Sequence, residues 1–112
     1  MRKETQKIMS AFLKGESASA QRTNTDGYSV WLHGNLIAER GKSKLWFTLA
    51  DWPTVTTRER INGMLNVFGY SDFSIGQKHT MQWLFHNGKK IRSVGEYEIM
   101  SLAELDELRV SV

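Results

Sequence analysis

Apolar residues Ile8, Met9, Phe12 and Leu13 recur at i, i+1, i+4, i+5 spacing, which gathers them on one face of a helix. The pattern predicts an N-terminal helix over 3–14 within an N-terminal segment 1–14, closed by Gly15. Residues 15–24, Gly-Glu-Ser-Ala-Ser-Ala-Gln-Arg-Thr-Asn, are small and polar and read as a flexible linker. From Thr25-Asp26-Gly27 onward the period shortens to two. Tyr28, Val30 and Leu32 alternate with Ser29, Trp31 and His33. Gly34-Asn35 offers a two-residue hairpin turn, 36–40 returns, and 44–50 alternates again, so a three-stranded meander is predicted.

Asp51-Trp52-Pro53 ends the strands, because proline cannot donate to a ladder, and Trp52 is expected to pack there. Thr56-Thr57-Arg58-Glu59 reads as a capping box with Thr56 as its hydroxyl. The helix it opens runs to about Val67, with Ile61, Met64, Leu65 and Phe68 as its buried stripe. Arg58 lies off that stripe and Arg60 near its edge. A second β region follows, with alternation over 73–77 and 81–86 and an Asn87-Gly88 hairpin signal. Ser101-Leu102-Ala103-Glu104 opens a short terminal helix. The order reads as one domain over 1–112 of α+β class, with an α+β body at 25–95. Its helices are expected to pack on one antiparallel sheet built from the meander and a β-hairpin.

Composition changes this picture mainly by exclusion. The 112 residues include no cysteine, which removes disulfides, thiolate metal sites and a cysteine nucleophile. No run approaches the ~20 apolar residues of a membrane span, and no signal-peptide pattern follows the charged start. His33, His79 and His86 show no metal-ligand spacing. No phosphate loop or nucleophile elbow is present, so the sequence points to no catalytic residue, cofactor or metal and to a non-catalytic protein.

Charge is unevenly divided. The acidic segment 96–112 sets five carboxylates against Arg109, a net charge of −4, so the rest of the chain carries +7. Trp31 and Trp46 fall on the strand face opposite the apolar set, beside His33 and Arg40. Either a terminal segment covers that face or the two tryptophans are exposed. If exposed, they form a candidate surface with Lys42, Lys44, Arg58 and Arg60. Such a surface suits a protein partner, or DNA or RNA through stacking and charge.

Asn24-Thr25-Asp26-Gly27, then Leu32-His33-Gly34-Asn35-Leu36-Ile37-Ala38, then Trp52-x-Thr54-x-Thr56-Thr57-Arg58-Glu59-Arg60-Ile61-Asn62, with Gln77-Lys78 and Gln82-Trp83, resemble a family of small uncharacterised proteins of tailed bacteriophages and prophages. The family's patterns are N-T-x-T-D-G, L-H-G-N-x-I-A and T-T-x-E-R-L-N; Ile61 stands where the last has leucine. The resemblance spans roughly residues 23–86 and implies a phage origin and a host-cytoplasm setting, with no activity attached. Turn and cap chemistry account for most of these residues. His33, Asn62 and Gln77 are left over: they either satisfy buried backbone groups or line a site. The expectation is an accessory protein that binds and modulates a host macromolecule, foremost a protein, with nucleic acid the alternative. Exposed sheet edges also leave a homodimer open.

Overall fold

The structure, a computed structural model, describes residues 1–42 and 44–111. Its elements are α1 (Lys3–Lys14), β1 (Ala18–Ala20), β2 (Thr23–Thr25), β3 (Ser29–Leu32), β4 (Asn35–Arg40) and β5 (Leu45–Thr48). They continue with α2 (Val55–Val67), β6 (Phe73–Lys78), β7 (Met81–His86), β8 (Lys89–Val94), β9 (Ile99–Ser101) and α3 (Leu102–Ser111). The class is α+β, as the hydrophobic pattern predicts.

α1 has the predicted bounds and ends on Gly15 at φ 75°, a left-handed cap that glycine adopts without a Cβ clash. The segment expected to be a linker is instead ordered into sheet. β1 pairs with β2 through a turn at Gln21 and Arg22, both at positive φ (49° and 60°). Strand hydrogen bonds are made by backbone, so a polar composition does not forbid them, and Thr23 and Thr25 are buried. The β3–β4 turn is also displaced from its predicted place. It uses His33 (φ 51°) and Gly34 (φ 80°), while Asn35 pairs with Leu32. Left-handed geometry at both central residues matches the twist of the flanking strands. Asn87-Gly88 forms the same turn, as predicted (φ 51° and 81°).

α2 begins two residues earlier than a Thr56 cap would place it. The Thr54 hydroxyl accepts from the Thr57 amide at 3.1 Å, and Glu59 turns elsewhere.

Two antiparallel sheets form rather than one. The first has the order β1-β2-β3-β4-β5-β9, the second β6-β7-β8. The physical reason lies at two edges. The free edge of β5 is taken by β9, which pairs Met100 with Phe47. The free edge of β6 is closed by Asn62: its amide nitrogen donates to the Ile75 carbonyl at 3.0 Å, and its oxygen accepts from the Ile75 amide at 2.7 Å. One apolar cluster unites α1 (Ile8, Met9, Phe12), the first sheet (Val30, Leu32, Phe47, Met100), α2 (Ile61, Met64, Leu65), the second sheet (Phe73, Ile75, Leu84) and α3 (Leu102, Leu105).

Candidate functional site

The residues expected to share one basic aromatic face are dispersed. Arg40 lies under the C-terminus of α1. Its Nη2 donates to the carbonyls of Phe12 and Leu13, its Nε to Gly27 at 3.1 Å, and its guanidinium sits 4.9 Å from the Phe12 ring centroid. A cation there matches the negative end of the helix dipole. Lys42 and Lys44 are exposed, and Lys44 lies 3.8 Å from Asp106 of α3. Arg58 is half-buried: its Nη1 reaches the Pro53 carbonyl at 2.8 Å and the amide oxygens of Gln77 and Gln82 at 3.0 Å each. Gln77 and Gln82 are cross-strand partners, so Arg58 ties the start of α2 to the β6–β7 hairpin.

Arg60 departs furthest from expectation, being only 2% exposed. Its Nε donates to Thr23 at 2.8 Å, and its Nη1 to Thr5 at 2.8 Å and to the Glu59 carboxylate at 2.6 Å. Glu59 also accepts from the Thr5 hydroxyl and from the Arg2 amide at 3.2 Å. Burial pushes the Glu59 carboxyl up, but the bonds from Thr5, Arg2 and Arg60 outweigh it and hold the group below its ordinary range. Arg60 escapes a one-stripe reading because α2 is buried on two sides, by the core and by α1.

Asn62 and Gln77 thus both have structural partners. His33 is exposed at its turn and lines a different cavity from Asn62. The three do not form one site. Trp31 and Trp46 are both half-buried on the outward face of the first sheet. Among the described residues no group of three potential ligands could hold a metal ion, and no helix is long and apolar enough to cross a membrane.

The structure brings together a surface that the sequence pattern did not single out. The Asp51 amide donates to the Glu96 carbonyl at 2.8 Å, and the Tyr97 hydroxyl donates to the Asp51 carboxylate at 2.5 Å. That bond, with the nearby negative charge, raises the Tyr97 pKa. Ile99 pairs with Thr48 on the outermost strand of the first sheet. Trp52 (55% exposed), Tyr97 (74%) and Ile99 (60%) therefore meet solvent around one junction, flanked by Asp51 and Glu96. Trp52 does not pack as expected. Ala50 and Asp51, at φ 54° and 58°, turn the chain sharply enough to send it outward. Tyr97 and Trp52 are 45 positions apart, so no local pattern joins them.

The second sheet presents another surface. Register places Trp83 opposite Gly76 and Ser93, and Phe85 opposite Ser74 and Lys90. Lys90 Nζ lies 4.2 Å from the Trp83 ring centroid. Lys78 and Met81 pair at the end of the same face and are exposed.

Fold and surfaces together define a small α+β protein with exposed aromatic residues at one margin of the first sheet and half-buried ones on the second. The family model described as Kyanoviridae Gp96 protein matches residues 1–101, and the chain belongs to this bacteriophage family. The match runs from α1 through β9, beyond the 23–86 span of the motif resemblance. No curated protein and no solved structure matches the chain.

Proposed function

We propose that this chain is a non-catalytic accessory protein of the phage that binds and modulates a host protein. The observation that carries this reading is the exposed group Trp52, Tyr97 and Ile99. Tryptophan and tyrosine are the residues that most often anchor protein interfaces, and a rim of other groups around them excludes water. Asp51 and Glu96 beside them favour a basic protein surface and disfavour a phosphate backbone. β9 adds an edge strand next to the aromatics, a second means of docking a chain. The test compares full-length protein with the Trp52→Ala/Tyr97→Ala double variant as bait in host lysate. A partner with a basic contact face should be enriched by wild type and reduced at least tenfold by the double variant. Equal recovery by both baits would overturn the assignment to this surface.

A second reading has its own observation. The outward face of the second sheet sets Trp83 and Phe85 among Lys78 and Lys90, the combination that stacks bases and neutralises phosphates. This face lies on different strands from the Trp31 and Trp46 face considered from the sequence. Single-stranded oligonucleotide should then quench Trp fluorescence with an affinity that falls as salt rises. Lys78→Ala/Lys90→Ala should flatten that salt dependence. Absence of binding at about 50 mM salt would remove this reading.

A further inference from the structure

A cavity of about 320 Å³ opens beside the buried Arg60, and Arg2, Glu4, Gln21, Arg22, His33 and Thr56 complete its lining. We propose that this cavity binds the phosphate group of a small phosphorylated molecule, with Arg60 at its floor and Arg2 and Arg22 at its rim.

The buried guanidinium leads to this proposal. Thr23, Thr5 and Glu59 occupy Nε and Nη1, while Nη2 has no hydrogen-bond partner among the described residues. Among the described residues no side-chain nitrogen or oxygen is both sealed from solvent and unpaired. Nη2 therefore keeps an accessible surface, and the cavity is the space that Arg60 lines. Taking a guanidinium out of water is costly, and an apolar side chain of the same volume would often serve stability as well or better. An arginine held rigidly by three partners with one donor face left over is preorganised for an acceptor that comes from outside. The fork of a guanidinium matches the oxygens of a phosphate.

The rim agrees with this floor. The turns Gln21-Arg22 and His33-Gly34 lie side by side, joined by the His33 amide donating to the Arg22 carbonyl at 2.9 Å. Gln21, Arg22 and His33 keep long polar side chains at positive φ, where glycine or asparagine costs less. The lining carries three guanidiniums against one carboxylate, Glu4; Glu59 balances Arg60, so the surplus positive charge comes from Arg2 and Arg22 at the rim. Glu4, Gln21 and Thr56 offer polar groups to hydroxyls on the organic part of the ligand. The volume lies at the low end of the roughly 300–1,000 Å³ typical of small-molecule sites, which excludes a folded macromolecule. This site is separate from the surfaces proposed for protein or nucleic acid, and its test is independent of theirs.

The test is a titration of full-length ¹⁵N-labelled protein with ribose 5-phosphate, ribose and inorganic phosphate, with ionic strength held constant by sodium chloride. Ribose 5-phosphate should give saturable shifts at the amides of residues 21–22 and 33–34, and ribose none. Inorganic phosphate binding as tightly as the ester would mark the free ion as the ligand; weaker binding would mark a phosphorylated metabolite. The exposed Arg22→Ala should weaken either affinity at least tenfold while the remaining amide signals stay in place. Non-saturating shifts, shifts equal to those from chloride alone, or unchanged affinity in Arg22→Ala would overturn the proposal.

Discussion

At the scale of single residues, Glu59 is the most consequential carboxylate. It balances the buried charge of Arg60 and accepts from Thr5 and the Arg2 amide. Glu59→Gln keeps the shape and removes the charge, leaving Arg60 uncompensated. Breaking a fully buried pair costs about 3–5 kcal/mol; Glu59 is partly solvated, so a loss of about 2 kcal/mol at pH 7 is expected. Its folded pKa lies below the ordinary glutamate value, so its contribution is complete above that value and disappears as pH falls through the folded one. Urea midpoints of wild type and Glu59→Gln should therefore differ at pH 7 and converge in acid. A difference that persists undiminished at low pH would show that the charge is not the cause. The β6–β7 turn supplies the opposite sign. Thr80 is β-branched and held at φ 68°. A left-handed conformation costs such a residue about 1–2 kcal/mol, and glycine gives back about 0.5–1 kcal/mol through its freer unfolded chain. Thr80→Gly should raise stability by about 0.5–1 kcal/mol in the same measurement.

At the scale of elements, the contact between α1 and α2 depends on Gly63. A Cβ built there would lie 2.2 Å from Thr5 Cγ2, and Thr5 cannot swing aside because Glu59 and Arg60 hold its hydroxyl. In an open helix, glycine to alanine gains about 1 kcal/mol. Here forced separation of the helices costs about 1–3 kcal/mol, so Gly63→Ala should lower stability by about 1 kcal/mol. Asn66→Ala, on the exposed side of the same helix, should raise it slightly. If Gly63→Ala stabilises instead, the close approach of the two helices is wrong. These elements also show what a linear pattern conveys. α1 was legible to the residue, because an apolar stripe, charged flanks and Gly15 agree. The start of α3 was also legible, since the Ser101 hydroxyl does accept from the Glu104 amide at 3.3 Å. β1 was not legible: Ala18-Ser19-Ala20 has no strand-like side chains, and its pairing comes from the β2 backbone. Arg60 is not legible as buried, and the partner that Asn62 satisfies is not legible either, for a related reason. Their partners, Thr5, Thr23 and Ile75, come from elements that converge only in three dimensions. The same limit applies to Trp52 and Tyr97, and to Arg40 and Arg60, whose guanidiniums turn inward while Lys42 and Lys44 stay exposed.

At the scale of the whole molecule, the acidic C-terminal segment is part of the fold. Asp106 accepts from the Tyr70 hydroxyl at 2.8 Å, Arg92 pairs with Glu98 and Glu104, and Arg109 reaches Asp72 at 2.6 Å. Met100, Leu102 and Leu105 are buried in the common core. Each such side chain contributes about 1.5–3 kcal/mol by burial, which together is comparable with the ~5–15 kcal/mol net stability of a typical domain. A chain ending at residue 95 would also expose the edge of β5 at Phe47. Truncation should therefore abolish cooperative unfolding and promote aggregation, seen by circular dichroism and size exclusion. It is not a clean way to unmask a basic body. The clean variant is Glu104→Gln/Glu107→Gln, which removes two carboxylates from α3 and retains Leu102, Leu105 and Asp106. If the segment shields the basic body from phosphates, this variant should bind single-stranded oligonucleotide at least tenfold more tightly than wild type at about 50 mM salt, where electrostatic attraction is strong. If the aromatic junction at Trp52 and Tyr97 is the working surface, oligonucleotide affinity should stay at its wild-type level and partner capture should be unchanged, because neither substitution touches that junction.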